Sequence, residues 1–338
     1  MNTGLLKWVC GLSVLVAGSA PALAQLNHPA QNFDSNTPIH VMPVQGKVYM
    51  LNIGGSNGVN ITAQVGEQGI FLVDSGPPGL GEKLVQTLRE HFGNKPVRFL
   101  VNTNSHLDHT GGNVAIVKTF GNEDVNAANI VGGARIISHL NTYNRISGIT
   151  GKSDQLPQSG WPITSFQGEK KELFLNGEPI VIYSAPNAYT DGDVIVWFRS
   201  SDVVSAGDAF VMGNYPVIDS ARGGSLSGLI DAGERIVDIA IPEKMGEGGT
   251  RVIPGHGRLC NENEVEDYVI MLAVIRDRVK DMVGKGMTFD QIKAAKPTLD
   301  YDGVVGGKKP FWTPAMFLEA AYRELSSKAT EDQGKAGR

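Results

Sequence analysis

The sequence contains only two cysteines, Cys10 and Cys260, in 338 residues. Cys10 lies in an N-terminal segment with the features of a removable leader, so no intramolecular disulfide is expected in the mature protein. The stability of the fold must therefore come from a hydrophobic core, to which a bound metal can contribute. We expect Cys260 to be a buried and inert thiol.

An excess of positive charge is also missing. The formal net charge is −5 and the sequence has no basic cluster. The charge distribution therefore gives no support for nucleic-acid binding. Hydrophobic residues make up 41% of the chain and charged residues 19%. This composition argues against disorder and predicts one large or two small globular domains with a substantial core.

No hydrophobic run is long enough to span a bilayer stably. Lys7 precedes a short apolar stretch at residues 8–16, and Ala22-Leu23-Ala24 provides a small-residue cleavage signal before Gln25. We therefore predict a signal peptide over residues 1–24 and a periplasmic or secreted protein. No membrane contact is expected after removal of the leader. The alternative is an uncleaved anchor.

Apolar periodicity predicts two successive groups of strands, each accompanied by helices. The strands are predicted at 39–44, 48–53, 61–65, 70–74, 97–101, 171–175, 180–184, 193–198, 203–207 and 251–254. The helices are predicted at 80–92, 110–120, 226–239, 262–283, 288–295 and 314–326. The loop-rich residues 142–165 are interpreted as a wall on the substrate side. We expect two packed sheets with helices outside, in one domain over residues 25–326, followed by a polar tail over 327–338.

A turn rich in potential metal ligands directly follows predicted strand 97–101. Residues 106–113 read His-Leu-Asp-His-Thr-Gly-Gly-Asn, and Thr110 is predicted to cap the helix that follows. The side chains of His106, Asp108 and His109 can converge on one point from such a turn. Imidazole and carboxylate ligands without thiolate are typical of a catalytic zinc, iron or manganese site. The alternative is a polar loop with an Asx-type turn.

Three later stretches carry groups of the same chemistry. Residues 186–193, Pro-Asn-Ala-Tyr-Thr-Asp-Gly-Asp, form a turn before a predicted strand. Asp208 ends a buried strand, and His256 follows another strand between two glycines, which let the backbone come close. Asp74 ends a fourth strand in the same manner.

In their order and spacing, these motifs resemble those of the metallo-β-lactamase-fold hydrolases, which include the β-lactamases and the glyoxalase II thioesterases. The resemblance extends over residues 39–256. It implies an α/β fold, the four-layer αββα sandwich of that type. It also implies a metal-dependent hydrolase that acts on an ester, thioester, lactone or lactam bond.

The chain departs from the family pattern at Asn104 and Tyr189, where the family has histidines that form a first metal site with the counterpart of His106. An Asn amide is a weak zinc ligand, and a Tyr phenol, with a usual pKa of about 10, must lose its proton to bind well. The second site keeps its full ligand set: Asp108, His109, Asp208 and His256. The resemblance therefore implies one metal ion, with zinc first and iron or manganese as alternatives.

The candidate catalytic residues are His106, Asp108 and Tyr189. Zinc would polarise the carbonyl and lower the pKa of its bound water to about 7. His106 lacks its two partner ligands and is expected to act as a general base. Tyr189 and Asn104 are expected to be oxyanion donors or substrate contacts.

Two further residues have supporting roles in this interpretation. Asp74 is expected to orient the metal turn by hydrogen bonds without binding metal itself. Arg222 is expected to meet a carboxylate of a small-molecule substrate. The sequence makes no prediction of the oligomeric state.

Two other functions remain open. The loss of two of the three first-site ligands favours a non-catalytic binding protein of the same fold. An iron-dependent lyase or redox enzyme is the second alternative. The four retained second-site ligands favour the hydrolase, since a decaying site has no reason to keep one complete half.

Overall fold

A computed structural model of the protein describes residues 33–121, 133–245, 248–305 and 312–336. The predicted signal peptide, residues 1–24, lies outside these ranges. The chain forms two β-sheets of seven and six strands, with helices in contact with each. No helix within the described ranges is both long and apolar enough to cross a membrane.

The first sheet contains the strands of the N-terminal half in sequential order. They are β1 (Ile39–Gln45), β2 (Val48–Ile53), β3 (Val59–Gly66), β4 (Gly69–Val73), β5 (Val97–Val101), β6 (Arg135–His139) and β7 (Thr164–Phe166). Strands β1 to β4 pair antiparallel, and β4 to β7 pair parallel. The parallel pair β4–β5 therefore brings Asp74 and the metal turn to the same edge of the sheet.

The second sheet has the order β13-β12-β11-β10-β9-β8. Its strands are β8 (Lys170–Leu175), β9 (Glu178–Ala185), β10 (Asp193–Phe198), β11 (Val203–Gly207), β12 (Arg251–Pro254) and β13 (Cys260–Asn261). Strands β11 and β12 are parallel, so Asp208 and His256 follow them at one edge. Strand β10 runs antiparallel to β11, which places the turn before β10 at that edge too.

Helices cover the outer face of each sheet. The helices within the described ranges are α1 (Gly81–Phe92), α2 (Leu107–Thr110), α3 (Asn113–Phe120), α4 (Leu140–Ile146), α5 (Leu226–Ile239), α6 (Glu262–Gly284), α7 (Phe289–Ala295), α8 (Leu299–Val305) and α9 (Pro314–Ala336). Helices α1 and α3 pack on the first sheet, and α5, α6 and α9 pack on the second.

Strand β4 shows how side-chain alternation produces the layers. Ile70 and Leu72 face the helices of the first sheet, whereas Phe71 and Val73 join the core between the two sheets. Side chains of successive strand residues point to opposite faces, so a strand buried on both faces is apolar throughout. The order helix, sheet, sheet, helix confirms the predicted four-layer αββα sandwich.

The local structure after the metal turn differs from the prediction. Thr110 does not cap the next helix, because it lies within α2 and its hydroxyl donates back to the carbonyl of His106 at 3.0 Å. Helix α3 begins only after Gly112. Residues 142–165, predicted to be loop-rich, include the end of α4 and most of β7, and α9 continues beyond Ser326 to Ala336.

Candidate metal centre

Asp74 and Asn104 shape the turn that carries His106, Asp108 and His109. Asp74 accepts hydrogen bonds from the backbone N–H and the hydroxyl of Thr103, each at 2.7 Å. Asn104 Oδ1 accepts from the backbone N–H of His106 at 2.9 Å. Asp74 itself has a left-handed backbone, with φ of 65°. Backbone strain of this kind persists where surrounding contacts over-determine the conformation.

Asp108, His109 and His256 bring their ligand atoms within 4.8 Å of one another. His256 Nε2 lies 3.2 Å from Asp108 Oδ2, and His109 Nε2 lies 3.9 Å from the same oxygen. Asp108 and His109 come from the first sheet and His256 from the second. The cluster therefore lies where the two sheets meet.

Asp208 completes the group of four residues predicted as ligands. Its Oδ2 lies 3.0 Å from His109 Nε2, and its Oδ1 lies 3.6 Å from His256 Nε2. This approach requires glycine at position 255, because a Cβ on Gly255 would lie 2.2 Å from Asp208 Oδ1. Any larger residue before His256 would therefore clash with Asp208.

Asn60, which the sequence analysis did not identify, holds His256 in place. Its side-chain amide donates to the carbonyls of Pro254 and Gly257, both at 2.9 Å. Its backbone N–H donates to the carbonyl of Gly255 at 2.9 Å. These bonds tie the His256 loop to β3 of the opposite sheet. An asparagine directly before the predicted strand 61–65 is a weak sequence signal for such a role.

The chemistry of the four residues fits a divalent cation. Two carboxylates and two neutral imidazoles carry a charge that such a cation balances, whereas unbalanced buried charge is costly. Asp208 Oδ1 is buried and accepts no hydrogen bond from the described residues. His109 Nδ1 lies 2.7 Å from Asp74 Oδ2, which leaves the Nε2 lone pair for a metal, as is usual for metal-binding histidines.

The pKa values of His109 and Asp208 are set by burial and by the charges that surround them. Burial alone lowers the pKa of His109, but the charges of Asp208, Asp74 and Asp108 raise it well above its usual value. Burial opposes the ionisation of Asp208, yet the nearby His109 and His256 hold its pKa below the usual range. Protons on the two histidines thus balance the charge of the carboxylates, as a bound cation would.

The model of the metallo-beta-lactamase superfamily matches residues 54–256, which is more than half of the chain and includes all four clustered residues. The chain belongs to the metallo-beta-lactamase superfamily. This fold implies binding of a divalent metal, typically zinc, and the Asp108, His109 and His256 cluster is a candidate site for it. Membership also supports a metal-dependent hydrolase in general.

One curated relative is "2,4-dinitroanisole O-demethylase subunit alpha" from Nocardioides sp. (strain JS1661). It is 25% identical over 204 residues, which cover 60% of this chain and 55% of the relative. The chain therefore spans about half the length of this protein.

Solved structures of the superfamily share the fold. The stereoselective inverting sec-alkylsulfatase Pisa1 from Pseudomonas sp. has a TM-score of 0.60 and 17% identity, with coverage of 85% of this chain and 50% of that chain. A metallo-beta-lactamase from Pontibacter korlensis has a TM-score of 0.53 and 16% identity, with coverage of 70% and 99%. At such identities the likeness shows the fold alone.

Tyr189 stands where the family pattern has a histidine. Its phenol is buried and contacts His106. The Tyr189 hydroxyl lies 3.0 Å from His106 Nδ1, and the two rings are 4.7 Å apart. Burial, with the charges of Asp208 and Asp108, raises the pKa of the phenol well above its usual value. Tyr189 is therefore a neutral hydroxyl in the metal-free protein, which disfavours it as a phenolate ligand.

Asn104 lies between the two halves of the centre. Its Nδ2 is 3.4 Å from Asp208 Oδ2, a long hydrogen bond, while its Oδ1 caps the metal turn. The amide is fully buried. Asn104 therefore links Asp208 to the turn that carries His106.

Arg222 does not have the geometry predicted for substrate binding. Its guanidinium donates to Asp154 through Nε at 2.8 Å and Nη2 at 2.7 Å, and to Asp219 through Nη1 at 2.5 Å. All three side chains are buried. Two protein carboxylates already hold the guanidinium, and this disfavours the expected contact of Arg222 with a substrate carboxylate.

The sequence analysis also missed Asp219, which contacts His106. Its Oδ2 lies 3.0 Å from His106 Nε2. Asp219 belongs to no recognisable motif, and its spacing of three residues from Arg222 is a weak signal. Access to the centre is from the side of Asp108 and His256, whose side chains are 14% and 11% exposed.

Proposed function

We propose that this protein is an exported hydrolase that uses a single metal ion at Asp108, His109, Asp208 and His256. The observation that carries the proposal is the convergence of these four side chains, with Asp208 Oδ1 buried and without a hydrogen bond from the described residues. Zinc is the first candidate for the metal, and iron or manganese are the alternatives.

The environment of His106 supports one metal ion instead of two. Its Nδ1 contacts the Tyr189 hydroxyl and its Nε2 contacts Asp219. A metal at the first site would have to displace one of these hydrogen bonds. Asn104, a weak ligand, is the other residue available at that site. Metal binding there would therefore recover little of the free energy lost with the hydrogen bond.

The chain's own residues have distinct parts in the proposed reaction. A metal held by these residues would polarise the substrate carbonyl and make hydroxide available at neutral pH. Asp108 is the most exposed of the four ligands, so its carboxylate is best placed to meet water or substrate. His106 and Tyr189 hold a proton between Nδ1 and the phenol oxygen, and through this pair His106 would serve as the general base.

We propose that the scissile bond is an ester, thioester, lactone or lactam bond of a small molecule. The names of the relatives add two bond types for testing, an alkyl sulfate and an aryl methyl ether. The protein, purified without added metal and then loaded with zinc, is assayed against one substrate of each type. We expect hydrolysis of at least one carbonyl substrate, with loss of activity on chelation.

The same assay separates the two alternatives. A protein that holds zinc but hydrolyses none of these substrates would favour a non-catalytic binding protein. Iron retained through purification would favour the lyase or redox enzyme. For export, mass spectrometry of periplasmic material should find a chain that begins at or near Gln25, and an intact Met1 would contradict the proposed signal peptide.

A further inference from the structure

Asp219 contacts both members of the His106–Tyr189 pair. Its side chain is fully buried and its Oδ2 lies 3.0 Å from His106 Nε2. Its backbone N–H donates to the carbonyl of Tyr189 at 3.1 Å. Asp219 therefore fixes the ring of His106 and the backbone of Tyr189 relative to each other.

The carboxylate of Asp219 is itself held by a rigid partner. Arg222 Nη1 donates to the same Oδ2 at 2.5 Å, and the other side of the guanidinium is bound by Asp154. Asp154 also accepts the hydroxyl proton of Ser105 at 2.8 Å. The buried cation keeps Asp219 ionised and in one orientation.

This arrangement determines which nitrogen of His106 carries the proton. An ionised carboxylate only accepts hydrogen bonds, so the nitrogen that faces Asp219 must donate. A ring that carries one proton then has it on Nε2 and a lone pair on Nδ1. The Tyr189 hydroxyl, 3.0 Å from Nδ1, must give its single proton to that lone pair.

We infer that Asp219 is a positioning residue that holds His106 in the Nε2–H tautomer and thereby makes the Tyr189 oxygen a hydrogen-bond acceptor. Any further partner of this oxygen must then be a donor, such as water, an alcohol or an amine. A carbonyl oxygen or an oxyanion is not such a partner. Tyr189 is accordingly not the oxyanion donor expected from the sequence. The inference concerns protons within the protein and holds whether or not the proposed hydrolysis occurs.

The test is the ¹⁵N NMR spectrum of histidine-labelled full-length protein at pH 7.5, recorded after chelation and again with added zinc. His106→Gln identifies the His106 signals among those of the seven histidines. In the wild-type protein we expect a protonated Nε2 and an unprotonated Nδ1, with the Nε2–H tautomer in at least about tenfold excess, as expected for a hydrogen bond to a charged group. A predominant Nδ1–H tautomer, or a doubly protonated ring, would overturn the inference.

Comparison of Asp219→Asn with Asp154→Asn distinguishes positioning from a general structural role. Asp219→Asn should reduce the tautomer excess, whereas Asp154→Asn, which disrupts the same Arg222 cluster without touching His106, should preserve it. Tyr189→Phe should shift only the Nδ1 signal. Equal changes in Asp219→Asn and Asp154→Asn would contradict the inference. Since the spectra need no turnover, loss of hydrolysis with an intact tautomer would count against the proposed function alone.

Discussion

The hydroxyl of Tyr189 lies 3.0 Å from Nδ1 of His106. Where the superfamily pattern has a second histidine, this chain thus has a phenol that satisfies the first one. The other nitrogen of the ring faces Asp219 at 3.0 Å. One half of the candidate metal centre is consequently a hydrogen-bonded group, while the other half has four convergent side chains that could hold a metal.

Replacement of His256 should remove the metal and destabilise the fold. In His256→Ala we expect lower metal content, lower activity and a lower melting temperature, because metal binding also stabilises the folded state. Metal analysis and thermal unfolding check this. His40→Ala, on an exposed position of β1, is the matched control and should leave all three unchanged. Equal metal content in the two variants would contradict the ligand role of His256.

His106→Ala should behave differently from His256→Ala. We expect metal content near that of wild type, because His106 contacts Tyr189 and Asp219 and lies outside the ligand cluster. Turnover should fall by about 10²–10⁴-fold, the usual range for a general base. Steady-state kinetics and metal analysis of the same preparation check both statements. If His106→Ala loses as much metal as His256→Ala, then His106 is a ligand.

Metal binding should release protons at neutral pH. Because the surrounding carboxylates raise the pKa of His109 well above its usual value, we expect its ring to be protonated at pH 7, and metal binding must then displace a proton. Calorimetric titration in buffers of different ionisation enthalpy should show release of about one proton or more, with affinity that rises with pH. Binding without proton release at pH 7 would be the contrary result.

The raised pKa of His109 also predicts how the stability of the fold depends on pH. A raised folded pKa contributes stability that is fully present below about pH 6.5, the usual value for histidine, and is lost as pH rises through the raised value. The contribution from Asp208, whose pKa is lowered, is present above about pH 4 and lost as pH falls further.

The convergence of the four candidate ligands was predictable because each of them lies shortly after the end of a strand. Asp108 and His109 follow β5, Asp208 follows β11 and His256 follows β12. Once the chain is taken as two packed sheets, the carboxyl ends of these strands meet at one edge. The positions of these side chains can therefore be inferred from the local sequence around each strand end.

The network behind His106 was not predictable in this way. Asp154 and Arg222 are 68 residues apart, and both lie in segments without apolar periodicity. Their pairing depends on how two loops pack over the metal turn. Thr110 failed as a predicted cap for a related reason, since its hydroxyl found a nearer acceptor in the His106 carbonyl.

Arg222 should be required for stability. Its side chain is 6% exposed, and Arg222→Met would leave Asp154 and Asp219 buried without their cation. We expect a loss of about 3–5 kcal/mol in the free energy of unfolding, as for other broken buried ion pairs. Urea denaturation measures it. Arg258→Met is the control, because the Arg258 side chain is 60% exposed in its pair with Glu264 and should cost at most about 1 kcal/mol. Similar small losses in both variants would contradict the structural role of Arg222.

The most direct test of the single-metal account starts from protein whose metal has been removed with a chelator. This protein is titrated with zinc, and calorimetry measures the binding. We predict one tight site per chain, with any second ion bound far more weakly. Tyr189→His, which adds an imidazole beside His106, should strengthen the second site, whereas Tyr189→Phe, which only removes the hydroxyl, should not. Two equally tight zinc sites in the wild-type protein would contradict the account.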